Sequence, residues 1–295
     1  MKLLDGKLVS NFFSEKIKND AIKIYNKRGF PPHLKVFLIG NNAASHTYVK
    51  AKKKKCEELG IKCTVNFFED IEENSLIEKI KESNENNFID GIIIQLPLLK
   101  RFHQQNILDS VSPKKDVDGF CTYNYGKVAM GENPFHFPAT PLGIIMMLQY
   151  YKIDITGKHC VVVGRGKTVG APLSILLGLN KDFGNATVTL CHSKTTNLRS
   201  HTKSADILII AVGSPEFFTD DYIKEDAIVI DVGINRVVDL SKKCKYKIVG
   251  DFDFVSAKEK TSYISPVPGG VGPMTIIALL KNTINASYLA MQLSR

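Results

Sequence analysis

The sequence predicts an α/β protein with parallel sheets, divided into two domains, and three observations carry that reading. Apolar runs of strand length alternate with longer stretches of helical period along most of the chain. One such run, from His159, leads through a glycine turn into a further helical stretch. A stretch rich in Gly, Pro and Asn at 121–141 reads as a linker and marks the first domain boundary.

The first domain begins with a helix over 7–28, with Leu8, Phe12, Phe13, Ile17, Ala21, Ile22 and Tyr25 at helical spacing and Gly29 at its end. Pro31-Pro32 lead into a buried strand, Leu34–Ile39, and Gly40-Asn-Asn turns the chain into a second helix, Ser45–Leu59. A strand at Cys63–Phe68, a helix over 74–86 and a strand at Gly91-Ile-Ile-Ile-Gln95-Leu96-Pro97 follow. Strands alternating with helices imply a parallel sheet whose ligands sit at the carboxyl ends of the strands. The turn before the Ser45 helix and the Gln95 end of the third strand both fall there.

On the second helix, Ser45, Tyr48 and Lys52 share one face, which lines up a hydroxyl, a flat ring and an amine. At about 100° per residue, Lys52 lies roughly 40° and Lys55 roughly 20° from Tyr48, so spacing alone leaves two candidate amines. Gln95 is the one polar residue in a buried apolar strand, suited either to a core amide or to a ligand contact. In the polar loop Pro113-Lys-Lys-Asp116-Val-Asp118-Gly, one of the two aspartates is expected to serve only the turn.

A helix at 141–151, with Thr140 as its cap and Pro141 at its first position, opens the second domain. His159–Val163 then runs into Gly164-Arg165-Gly166-Lys-Thr-Val-Gly170, a turn whose backbone N–H groups suit a pyrophosphate. The following strand, 186–191, ends in His192-Ser193-Lys194 where an NAD site would carry an Asp or Glu. Together with Arg165, that ending favours NADP over NAD. Strands at 207–212 and 227–232 end in Gly213 and in Gly233-Ile234, leaving room for a cofactor to approach. Ser265–Thr275 is stiffened by prolines and opened by glycines, and Pro273 starts a terminal helix expected to return to the first domain and close a cleft.

Composition limits the function classes. The chain has 295 residues, 44% hydrophobic and 23% charged, long enough for two domains with buried cores. Its net charge of +9 is spread over many helices, with no basic tail or aromatic-interleaved block, so a nucleic-acid partner is not expected. Six isolated cysteines (56, 63, 121, 160, 191 and 244), lacking metal-site spacing, read as free thiols in a reducing compartment, with no metal site expected. Neither a secretory leader nor a membrane-length apolar run is visible, and the expectation is a cytoplasmic protein without a membrane partner.

Six segments together resemble the bifunctional methylenetetrahydrofolate dehydrogenase/cyclohydrolase family. They are Ser45-x-x-Tyr48-x-x-x-Lys52, Gly91–Pro97, Lys115–Gly119, Val161–Arg165, Val229–Arg236 and Pro266–Thr275, in order from about Leu4 to the C-terminus. The resemblance implies NADP-linked oxidation of methylene-tetrahydrofolate to the methenyl cation, then hydrolysis to 10-formyl-tetrahydrofolate. It also implies a homodimer, and it selects Lys52 over Lys55. The residues it assigns to catalysis are Lys52, Tyr48, Gln95 and Asp118, with Lys52 as base for the water step and Asp118 as acceptor for the pterin edge. The folate pocket adds Ile94, Leu96, Pro268, Gly269, Gly270, Val271 and Gly272. Gly164, Arg165, Gly166, His192, Ser193, Lys194, Gly213, Gly233 and Ile234 are assigned to NADP. It divides the chain into a folate domain, 1–138 plus 273–295, and an NADP domain, 139–272.

Two positions depart from the family pattern: Gly166 replaces a serine of the phosphate turn, and Ala139 replaces a cysteine. Rival readings are an NADP-dependent dehydrogenase lacking cyclohydrolase activity and a basic nucleic-acid-binding protein.

Overall fold

A computed structural model describes residues 1–241, 245–257 and 259–293. Along the chain run β1 (Lys2–Leu3), α1 (Gly6–Arg28), β2 (His33–Ile39), α2 (Ala43–Glu58), β3 (Lys62–Phe68), α3 (Glu73–Glu85), β4 (Gly91–Ile94), α4 (Gln104–Asp109) and α5 (Thr122–Ala129). They are followed by α6 (Ala139–Tyr150), β5 (His159–Val163), α7 (Gly170–Gly178), β6 (Thr187–Cys191), α8 (Leu198–Lys203) and β7 (Ile207–Ile210). The remainder comprises β8 (Ala227–Asp231), β9 (Asn235–Val238), β10 (Tyr246–Val249), β11 (Thr261–Ile264) and α9 (Val271–Leu293). The chain forms two compact units: Asn11–Ala139 with the residues from Ile276 onward, and Met1–Ser10 with Thr140–Thr275.

In the first unit a parallel sheet of order β3-β2-β4 places β2 at its centre, with Leu34 opposite Cys63 on one side and Gly91 on the other. Phe37, Ile39, Leu76, Ile80, Ile92, Ile94 and Ile107 form the core on which α3 and α4 pack. The chain leaves β2 for one neighbour and comes back to the other, so the carboxyl ends of β2 and β4 flank a switch point. Beside β4 the chain 115–118 runs parallel: Ile92 N–H donates to the Lys115 carbonyl at 2.7 Å, and Ile92 pairs with Asp116. Two residues further on, Asp118 is thereby carried to the Ile94–Gln95 end.

The stretch 121–141 is not a linker throughout, because Thr122–Ala129 is a helix. Buried Asn124 explains it: its amide donates to the Pro113 carbonyl and the Asp116 carboxylate at 2.9 and 3.0 Å, and its oxygen accepts from Phe135 N–H at 3.1 Å. Those tertiary bonds outweigh the weak helix propensity of Gly126. Helix α6 begins at Ala139, two residues before the expected start, with Ala139 N–H donating to the Asp118 carbonyl at 3.2 Å. Pro141 then occupies the third helical position, where a missing N–H costs no intrahelical bond.

The second unit holds a six-stranded sheet, β1-β11-β8-β7-β5-β6, parallel in every pair, and an antiparallel ribbon of β9 and β10. Its core gathers Val161, Val163, Leu208, Ile210, Phe218, Val229, Phe252 and Ile264. Lys2 and Leu3 pair with Tyr263 and Ile264, so Met1–Ser10 groups with this unit and not with the residues that follow it. A two-residue strand is too short to show a period in sequence. Helix α9 starts at Val271 rather than Pro273, and its residues from Ile276 belong to the first unit. There Asn282 donates to the carbonyls of Val117 and Phe137, both at 2.9 Å.

Cysteines 56, 63, 121, 160 and 191 are free thiols, and Cys244 lies outside the described residues. Among the described residues no helix is long and apolar enough to cross a membrane, and no group of His, Cys, Asp and Glu is arranged to hold a metal ion.

Candidate active site

Helix α2 is set by its N-cap: Asn42 accepts the Ser45 N–H at 3.0 Å. Its buried residues are Ser45, Val49, Lys52 and Cys56, one stripe at helical spacing. Lys52 therefore occupies a place in the stripe where an apolar residue would ordinarily sit, and only 3% of it is exposed. Its ammonium lies 4.7 Å from the Tyr48 ring centre and donates to Gln95 Oε1 at 3.1 Å. Lys55, the other candidate in the sequence, pairs with Glu58 at 3.3 Å near the surface. Of the two amines, Lys52 is the buried one.

Gln95 follows the last residue of β4 and is itself buried. Its Nε2 donates to the Leu96 carbonyl at 2.8 Å, leaving Oε1 to face Lys52. Ser45 Oγ donates to the same carbonyl at 3.3 Å, which joins the start of α2 to the end of β4. Ile94 is buried in the sheet, and Leu96 precedes a cis peptide to Pro97.

Both aspartates of the 115–119 segment now have distinct places. Asp116 is buried and its carboxylate accepts from the N–H groups of Phe120 and Cys121 and from Asn124, so it shapes the loop. Asp118 is half-buried, and among the described residues its carboxylate has no hydrogen-bond partner in the protein. Gly119 after it has φ +71°, and a side chain there would meet the Pro138 backbone at 2.7 Å.

Burial pushes the Lys52 amine below its ordinary lysine value, opposed by the negative charge of Asp118. Burial also pushes the Asp118 carboxyl above its ordinary value, opposed by Lys52. The result is a secluded amine whose neutral form burial favours, beside a carboxyl group available to a ligand.

In the other unit, sheet order reverses between β6 and β7, on either side of β5, whose carboxyl end carries Gly164. Gly164 has φ +113°, and a Cβ there would meet the Ala211 carbonyl oxygen at 2.2 Å. At Gly170 a Cβ would stand 1.7 Å from the Gly164 oxygen. Nothing lies within 4 Å of a Cβ at Gly166 or Gly213, so those two face open space. Arg165, Ser193 and Lys194 are exposed and His192 is half-buried, its Nδ1 accepting from Lys194 N–H at 3.2 Å. A glycine cradle with exposed cations beside it fits a phosphorylated dinucleotide. Gly233 is buried and Ile234 is 62% exposed.

The segment at Pro268, Gly269, Gly270, Val271 and Gly272 belongs to this same unit. Gly269 has φ +116° and accepts from Lys7 N–H at 3.2 Å, and Gly270 N–H donates to the Pro266 carbonyl at 2.7 Å. Val271 is buried at the start of α9.

Sequence reasoning gave no role to Asp231 and passed over Asp251, although both are buried at the carboxyl ends of this sheet. The available signal was Gly233 and Gly250, whose Cβ positions would fall 2.3 Å from the Asp251 carboxyl carbon and 1.8 Å from Asp231 Oδ2.

Two family models match the chain: the tetrahydrofolate dehydrogenase/cyclohydrolase catalytic domain over residues 4–118 and the NAD(P)-binding domain of the same enzymes over residues 138–291. The "Bifunctional protein FolD" of Cytophaga hutchinsonii is 49% identical over 290 residues, covering 98% of this chain and all of that protein. The solved structure of the bifunctional FolD methylenetetrahydrofolate dehydrogenase/cyclohydrolase from Campylobacter jejuni superposes with a TM-score of 0.91 at 43% identity, covering 98% and 99% of the two chains. That of the Trypanosoma brucei enzyme, complexed with NADP and an inhibitor, gives 0.92 at 31% identity over 98% and 97%. With both domain models matched in order and relatives this similar over nearly the whole chain, the protein belongs to the tetrahydrofolate dehydrogenase/cyclohydrolase family.

Proposed function

We propose that the protein oxidises 5,10-methylene-tetrahydrofolate to 5,10-methenyl-tetrahydrofolate with NADP and hydrolyses that product to 10-formyl-tetrahydrofolate. The observation that carries this reading is Lys52, an amine buried to 3% exposure whose hydrogen bond goes to a neutral amide.

Lys52 in its neutral form takes a proton from the water that adds to the methenyl carbon, and as an ammonium it returns a proton to the ring nitrogen as its bond to that carbon breaks. The remaining O–H proton is lost to solvent as the formyl C=O forms, the one proton the net hydrolysis releases. A depressed pKa suits this task twice over: it supplies the free base, and it lessens repulsion between an ammonium and a cationic substrate. Gln95 Oε1 fixes the direction of the amine. Tyr48 offers its ring face to the pteridine, and Asp118 accepts hydrogen bonds from the pterin's donor edge. Ile94, Leu96 and the 268–272 segment complete the folate-binding set.

NADP, when bound, supplies the hydride acceptor. Gly164, Arg165, Gly166, His192, Ser193, Lys194, Gly213, Gly233 and Ile234 would hold it, with Arg165 and Lys194 favouring the ribose phosphate. The division into a folate domain and an NADP domain, a homodimeric state and a cytoplasmic location are part of the same proposal. Family resemblance supports the dimer, and sedimentation of the purified protein measures it.

The test is an absorbance assay of purified protein with methylene-tetrahydrofolate and either NADP or NAD, followed by loss of the methenyl band in coenzyme-free buffer. Turnover in both assays, with NADP preferred, is expected. Hydride transfer without methenyl hydrolysis would reduce the assignment to a dehydrogenase.

A further inference from the structure

Two carboxylates in the coenzyme unit are buried without a cation. Asp251 has no exposed surface and Asp231 retains 3%, and among the described residues neither forms an ion pair. A buried charge is costly unless it is hydrogen-bonded, so their presence needs a reason.

That reason lies in what they bind. Asp251 Oδ2 accepts from Val212 N–H at 2.8 Å and Gly213 N–H at 3.0 Å, while its Oδ1 accepts from Ser214 N–H and Asn235 Nδ2, both at 2.8 Å. Three successive N–H groups converging on one point form an anion nest, filled here by the protein's own side chain. Asp231 Oδ1 accepts from Gly233 N–H at 2.9 Å and from Asp251 N–H at 3.0 Å, and Oδ2 accepts from Phe252 N–H at 2.9 Å. Asp231 N–H is held in turn by Ser265 Oγ at 2.8 Å. One carboxylate thus fixes the loop after β7, the other fixes the loop after β8, and the second also grips the backbone of the first. The N–H groups of Val212, Gly213, Ser214 and Gly233 have no ladder partner, and the two carboxylates satisfy them.

The faces opposite the clamp are open. Val212 and Ile234 are 38% and 62% exposed, and Gly213 has clear space beyond it. We infer that Asp231 and Asp251 are positioning residues for the coenzyme, holding the 212–214 and 233–235 loops in the shape that receives the dinucleotide. The inference rests on the reading above that Gly213, Gly233 and Ile234 contact NADP. The carboxyl of Asp231, pushed up to about 6 mainly by burial against the pull of its three N–H donors, agrees with a charge retained at some cost.

The experiment compares Asp251→Asn, Asp251→Ala and Asp231→Asn with the parent chain in two assays, NADP-dependent oxidation and coenzyme-free methenyl hydrolysis, alongside thermal melting. An amide at 251 turns an NH2 group toward an N–H donor, so KM for NADP should rise about tenfold or more, and further for Ala. Methenyl hydrolysis should stay within about twofold, since it uses no coenzyme. A role in packing alone would lower the melting temperature and leave KM for NADP unchanged, which overturns the inference, as does an equal fall in both activities. If the Asp251 variants do not fold, Asn235→Ala, which removes one donor to Asp251, carries the same comparison. Ile234→Glu, at an exposed position assigned to NADP, separates the premises. Weaker NADP binding in that variant with none in the aspartate variants refutes the clamp alone, and no effect in any variant refutes the loop contact as well.

Discussion

Lys52 Nζ donates to Gln95 Oε1 across 3.1 Å, and the amide nitrogen of Gln95 is committed to the Leu96 carbonyl at 2.8 Å. The glutamine therefore meets the lysine as an acceptor, and as a neutral one. A neutral partner orients the amine while raising its affinity for protons far less than a carboxylate in the same place, which would hold it as an ammonium. Gln95→Glu should cut methenyl hydrolysis at neutral pH by about a hundredfold, the scale of a lost general base. Its rate should recover toward higher pH than in the parent. A pH–rate profile of kcat/KM measures both effects.

The depressed pKa of Lys52 also sets a direction for stability. Between its folded pKa and its ordinary value of 10.5, the unfolded chain holds a proton on this amine that the folded chain lacks. Unfolding in that window takes up a proton, so the contribution of Lys52 to stability rises with pH through it. Lys52→Met should remove this increment, hold or raise the melting temperature at neutral pH, and abolish methenyl hydrolysis. Urea unfolding at a series of pH values, read against the hydrolysis assay, checks all three.

Among the described residues the Asp118 carboxylate has no hydrogen-bond partner, so beyond its charge interaction with Lys52 its removal costs the fold little. Asp118→Asn should raise KM for methylene-tetrahydrofolate about ten- to a hundredfold, the effect of losing charge-assisted bonds to a ligand, while KM for NADP stays the same. Asp116→Asn provides the contrast. It disturbs the bonds to Phe120, Cys121 and Asn124 and should lower the melting temperature.

Gly166 has open space where its Cβ would project. Gly166→Ser should therefore fold as well as the parent and offer a hydroxyl to the bound dinucleotide. KM for NADP should fall by up to about tenfold, the worth of one added hydrogen bond. Parallel titrations with NADP and NAD show whether the gain is shared.

Much of this was legible in sequence because it rests on local pattern. The strands and helices around Lys52 carry clear periods, and Gln95 stands out as polar within an apolar run. What sequence left open depended on tertiary partners. Lys52 and Lys55 differ little in angle about the α2 axis and are separated only by which one the fold buries. Asp116 and Asp118 look alike until Asn124 and the N–H groups of 120 and 121 claim the first. Helix α5 depends on that same asparagine. The Asp231–Asp251 pair is invisible to spacing rules because its partners are backbone groups of loops that meet only in the folded chain.

The pairing of Leu3 with Ile264 has a consequence for how the molecule is made. Residues 2–3 leave the ribosome long before 263–264 exist, so this outer ribbon waits for nearly the whole polypeptide before its hydrogen bonds can close. A fragment begun at residue 140 to isolate the dinucleotide-binding half would lack that cover. Its β11 backbone would lie bare on one side, an invitation to strand addition by another copy.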